Sequence, residues 1–236
     1  MIRHYIIMSS SYSKGTRIAL DFTGEKTEPE FISAIKEKII TECGDDVSLS
    51  SHSFCLDSDT WEAVLEHDSF FEKVEVIKKL DDFIKLIKKD RELSGLDVAR
   101  YILSKIKCTH VKLEKLAYFC FATYLTETEK MLFPDKIYAF ERGPVVESIY
   151  KEFKYTAGLL PHSLAKESRI LFASDGVKKL GCIIKVIEKY GEKNGDDLIE
   201  ITHKDSSPWD VSYKKGVQFL EIPTETIKAN HKFETS

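Results

Sequence analysis

The 236-residue sequence has no strong excess of either charge: 35 Lys and Arg stand against 39 Asp and Glu, a formal net charge of −4. No global field therefore draws the chain toward nucleic acid or an anionic membrane. The five cysteines, Cys43, Cys55, Cys108, Cys120 and Cys182, are odd in number and never form a C-x-x-C pair. Neither a closed disulfide framework nor a zinc ribbon is signalled, and a reducing cytoplasm fits them best. Long apolar runs are missing too. The stretch Tyr5 to Met8 gives way to serines, too soon for a signal peptide or a membrane span.

Catalytic signatures are equally absent. The sequence has no G-x-x-x-x-G-K-[ST], G-x-G-x-x-G, H-E-x-x-H or G-x-S-x-G, and no H-x-E with P-C-x-x-C. Histidines 4, 52, 67, 110, 162, 203 and 231 are scattered without metal-ligand spacing. There is no helix-turn-helix pattern and no concentrated basic face. These absences lead us to expect a protein that is not an enzyme, with no catalytic residue, metal or cofactor, no membrane segment and no direct contact with nucleic acid.

What is present is a soluble composition, 42% hydrophobic and 31% charged, with apolar surface enough for at least one core. Charge is unevenly divided, since residues 1–92 carry −6 and residues 93–236 carry +2. The change falls at the charged run Lys88 to Glu92, after which Ser94 and Asp97 have the spacing of a capping box. We read two domains, a small α+β accessory module over 1–92 and a mainly helical domain over 93–236. In the first, Arg3 to Met8, Thr16 to Phe22 and Val47 to Leu56 read as strands. Pro29 to Cys43 reads as a helix with Gly44 as its stop, and Trp61 to Leu65 and Leu80 to Ile87 follow as helices, giving the order β-β-α-β-α with one further helix.

In the second, Leu96 to Ile106 traces an apolar helical face, and Thr109 caps a helix carrying Leu113, Leu116, Ala117, Cys120 and Tyr124. Lys136 to Glu141 reads as a short strand. Arg142-Gly143-Pro144 turns into a helix with Pro144 at its first position, whose free N–H groups could receive a carboxylate or phosphate. Ser174 is expected to cap a helix with Val177, Leu180, Ile184, Ile187 and Tyr190 on its buried face. Ser207-Pro208-Trp209 opens a short helix, and Thr224 to Phe233 forms the last one. Glu114 and Lys115 beside the apolar stripe, with Tyr118 four residues after Glu114, are explained without function by an exposed, charged helix flank. A Trp at the start of a short helix, as at Trp209, is more often core than contact.

Three stretches carry a family resemblance: Leu96 to Leu103 (LDVARYIL), Thr109 to Tyr118 (THVKLEKLAY) and Tyr138 to Tyr150 (YAFERGPVVESIY). Together with Leu198-Ile199-Glu200-Ile201-Thr202-His203 and the later Pro208-Trp209, they resemble, in order, the Panacea domain of the SocA-like, GepA phage-associated family, over about residues 94–215. The sequence departs from the family pattern in having Glu114 where Gln is common, Ala117 where Leu is usual, and Phe119 in place of a second Tyr.

The resemblance implies an antitoxin-like protein that binds and neutralises a cognate toxin, or an adaptor that hands it to a host protease or chaperone. By motif position it implies Lys115, Tyr118, Arg142, Gly143, Pro144, His203 and Trp209 as partner-binding residues. The N-terminal module would then help set the choice of partner. A second expectation is a prophage-encoded protein that binds a host factor or an anion at the Gly143-Pro144 helix start.

Overall fold

The computed structural model describes residues 1–235 and is α+β, with a sheet-bearing N-terminal unit and a helical C-terminal one. Contacts divide the chain into Met1–Glu92 with Phe172–Ser174, and Leu93–Leu171 with Asp175 onward. No helix among the described residues is long and apolar enough to cross a membrane.

In the first unit, strands β1 (Ile2–Ser11), β2 (Thr16–Thr23), β3 (Ser50–Leu56) and β4 (Val74–Val76) form one sheet in the order β3-β1-β2-β4. Helices α1 (Pro29–Cys43), α2 (Trp61–His67) and α3 (Leu80–Arg91) cover it. The central strands are apolar at consecutive positions because both of their faces are buried. Ile7, Ile18 and Leu20 pack with Ile39, Phe83 and Ile87 of α1 and α3, whereas Ile6, Met8 and Ala19 pack with Val64 of α2 and with Phe71. β4, absent from the sequence reading, is three residues long and parallel to β2, too short to show a period.

The second unit comprises α4 (Gly95–Lys105), α5 (His110–Thr128), β5 (Ile137–Phe140), β6 (Gly143–Val146), α6 (Glu147–Phe153), α7 (Glu167–Phe172), α8 (Gly176–Tyr190), α9 (Gly195–Thr202), α10 (Pro208–Ser212), α11 (Thr224–Asn230) and α12 (Lys232–Thr235). Ser94 and Asp97 form the expected capping box, and Thr109 and Ser207 cap α5 and α10 through their hydroxyls. α5 is the hub: residues on all of its sides, from Leu113 to Leu125, are buried, and α4, α8, α9, α11 and the β5–β6 hairpin pack around it.

Three expectations are corrected. Gly143 and Pro144 do not start a helix; they lie in β6, antiparallel to β5, and α6 begins only at Glu147. No anion site at a Gly143-Pro144 helix start exists. Ile137 and Ala139 direct their backbone groups to the segment Leu220–Ile222, so by the alternation of an antiparallel ladder their partners Val146 and Pro144 face away from β5. Pro144 therefore sits where its missing N–H costs no ladder bond. Second, Ser174 does not cap α8; Asp175, in a left-handed conformation, takes that place without a side-chain bond. Third, α8 buries Cys182, Ile183, Val186 and Tyr190, while Val177 and Ile184 are exposed.

Candidate functional site

The outward edge of β6 is met by two consecutive side chains of α5. Glu114 Oε2 accepts the Val146 N–H at 2.8 Å, and Lys115 Nζ donates to the Pro144 carbonyl at 2.5 Å. The pair thus does what a neighbouring strand would do, satisfying one donor and one acceptor that would otherwise be buried unpaired. The expected exposed flank is not there: Glu114 and Lys115 are 3% and 1% exposed. Burial pushes the Glu114 carboxyl up and the Lys115 ammonium down, each opposed by the other's charge.

Gly143 is fixed by the same contact. Its φ is +98°, and a Cβ there would lie 2.8 Å from both Lys115 Cε and Thr202 Oγ1, so this position needs a left-handed backbone and no side chain. Thr202 ends α9, and His203 caps it. The His203 ring stacks on Trp209 with centroids 3.5 Å apart and planes 7° apart, and Trp209 stacks in turn on Tyr213. The Trp209 Nε1–H donates to the Phe140 carbonyl at 2.7 Å, which ties the stack to the end of β5. His203 Nε2 is buried with no hydrogen-bond partner among the described residues. Burial, then the nearby Lys115 charge, lower the His203 pKa.

One turn further along α5, Tyr118 is fully buried, and its hydroxyl reaches both Glu234 oxygens at 3.0 and 3.1 Å. Glu234 Oε2 also meets His231 Nδ1 at 2.7 Å. Burial raises the Glu234 carboxyl, opposed by His231, and drives the Tyr118 hydroxyl well above its ordinary range. This cluster pins the C-terminal helices α11 and α12 to α5.

Beside the acid–base pair lies a cavity of about 190 Å³. Val111, Val145, Phe140 and Tyr150 supply its apolar wall, and Glu114 and Lys115 also line it. Exposed Glu141 and Arg142, which join β5 to β6, stand at its rim with His110. Arg142 reaches Asp196 at 3.2 Å, with both side chains largely exposed, an arrangement that adds little stability. Next to the cavity is an aromatic cluster. Phe219 packs edge-on against Tyr138, Phe140 and Tyr150, with centroids 5.5, 5.1 and 6.2 Å away. Phe219 is half exposed and has a φ of +55°. For a bulky residue that backbone conformation costs about 1–3 kcal/mol.

All seven residues singled out from the sequence fall around α5, the hairpin and the α9–α10 corner, but in different roles. Lys115, Gly143 and Pro144 are in direct contact, and His203 and Trp209 are stacked. Tyr118 is a core residue facing Glu234, and Arg142 is on the surface. The aromatic cluster and the Glu234–His231 pair were not anticipated from the sequence. Phe219 and Glu234 lie far along the chain from their partners, and no local pattern marks them. Among the described residues no group of His, Cys, Asp and Glu is placed to hold a metal ion.

Residues 113–210 match the family model described as antitoxin SocA-like, Panacea domain. The match confirms the resemblance over that stretch and spans the acid–base pair, the hairpin and the His203–Trp209 stack. The first motif block, Leu96 to Leu103, lies outside it. No curated protein and no solved structure matches the chain.

Proposed function

We propose that the protein is an antitoxin-like binding protein of the cytoplasm that neutralises a cognate protein toxin by direct complex formation, and that it is not an enzyme. The observation that carries this reading, beyond the family match over residues 113–210, is the surface around the hairpin. A half-exposed phenylalanine is held there in a strained conformation among Tyr138, Phe140 and Tyr150, beside the exposed Arg142. Aromatic residues and Arg are the types that concentrate binding energy at protein interfaces. Backbone strain of this kind accumulates at functional sites rather than on inert surface.

The acidic residues 1–92, at −6, add a surface suited to steering a basic partner. They make the first unit a determinant of partner choice. Neutralisation is taken as sequestration, with transfer of the toxin to a host protease or chaperone as the second form of the same activity.

The test is co-expression with the product of the adjacent gene. Expected is a product that arrests growth alone, is tolerated with this chain and co-purifies with it. Constant toxin levels indicate sequestration, and falling levels indicate transfer to a protease. A harmless neighbour that forms no complex contradicts the proposal.

A further inference from the structure

The acid–base pair satisfies β6 with only part of its hydrogen-bonding capacity. Glu114 uses Oε2 on the Val146 N–H, and its other carboxylate oxygen has no donor among the described residues. Lys115 gives one hydrogen bond, to the Pro144 carbonyl, of the three an ammonium can make. Both side chains are more than nine-tenths buried, and both line the cavity. An acceptor and a donor with unused capacity therefore both line an otherwise largely apolar space, where a group with a matching polar tip can engage them.

The space has the size of one aromatic ring. At about 190 Å³ it exceeds the roughly 150 Å³ of an engineered apolar cavity that admits benzene. Its walls, Val111, Val145, Phe140 and Tyr150, suit a ring packed face or edge. A group that fills the cavity and satisfies its base must donate to Glu114 and accept from Lys115 with the same polar tip. A phenol does both with one oxygen. The cavity opens at the exposed hairpin turn Glu141–Arg142, beside the aromatic cluster, so a ring attached to a peptide chain can enter with its backbone left outside.

We propose that this cavity receives a tyrosine side chain of the protein partner, its ring between Val111, Val145 and Tyr150 and its hydroxyl bridging Glu114 and Lys115. The identity of the occupant rests on the binding function proposed above. Its test uses no partner, so that failure of the two readings can be told apart.

The full chain is titrated with p-cresol, toluene and N-acetyl-tyrosinamide and followed by ¹H–¹⁵N NMR. Expected is saturable binding of p-cresol at least about tenfold tighter than of toluene, since a site built to hydrogen-bond a hydroxyl discriminates against the ring that lacks it. N-acetyl-tyrosinamide binds comparably to p-cresol. Glu114→Gln reduces the preference for p-cresol. Val111→Phe, which fills the cavity from a half-buried position on α5, abolishes binding of all three while the spectrum stays dispersed. Equal binding of p-cresol and toluene in the wild-type chain, no binding of either, or binding that survives Val111→Phe overturns the proposal. So does binding of p-cresol with exclusion of N-acetyl-tyrosinamide, which would make the occupant a free small phenol.

Discussion

Glu114 and Lys115 occupy consecutive positions on one helix and are both buried, because each has a backbone group of β6 to satisfy. From the sequence alone they look like a solvated flank, since nothing local shows that a strand edge will arrive from thirty residues downstream. Tyr118 follows the same logic. Its hydroxyl gives a buried carboxylate its partner, so Tyr118→Phe leaves Glu234 short of a donor and is expected to cost about 1–3 kcal/mol, measured by urea denaturation. A change within a few tenths of a kcal/mol would mean that the contact does not persist in solution.

His203 carries a pH signature. Its pKa is lowered, first by burial and then by Lys115, so the folded state favours the neutral ring. The unfolded chain takes up this proton at about pH 6.5, where the folded site does not. The stability associated with His203 is therefore present above that pH and is lost as the pH falls through the lower folded value. Because the ring is stacked on Trp209, Trp209 fluorescence in a Trp61→Phe background reports the step. Its midpoint is expected below pH 6.5, and a midpoint at or above that value contradicts the burial argument.

At the scale of elements, the local signals that can be satisfied within a few residues were legible. The Ser94–Asp97 box, the Thr109 and Ser207 caps, and Pro29 with Gly44 around α1 all stand where the spacing puts them. Elements decided by distant contacts were not. The run Gly143-Pro144-Val145-Val146 combines a helix-opening proline with β-branched residues. Pairing with Ile137–Phe140, itself braced by Leu220–Ile222, settles the choice as strand.

α8 presents a different ambiguity, because it has apolar residues on two faces. Packing on α5 selects the stripe through Ile183 and Val186 over the one through Val177 and Ile184. Ile183→Ala is accordingly expected to cost about 2–5 kcal/mol, and Val177→Ser to stay within about 0.5 kcal/mol. Thermal or urea melts of the two variants check this, and the reverse order would place the other face of α8 inward.

At the scale of the whole molecule, the family motifs point to residues that the fold brings close together. Five of the seven singled-out residues, Lys115, Gly143, Pro144, His203 and Trp209, meet in one tight arrangement around the hairpin. The surface that this arrangement supports was not visible, because Phe219 enters it from a segment without regular structure. The molecule thus separates two tasks. A buried polar frame shapes the hairpin, and an exposed aromatic and Arg surface beside it is available to a partner.

That separation is tested most directly by measuring partner affinity and melting temperature together for Arg142→Ala and Phe219→Ala, using as ligand the adjacent gene's product once the co-expression test has shown that it binds. Binding is predicted to weaken by about tenfold or more for at least one of the two, as for residues at an interface centre, with the melting temperature not lowered. Unchanged affinity in both variants, or a loss of affinity that follows a loss of folding, would contradict the assignment of this face.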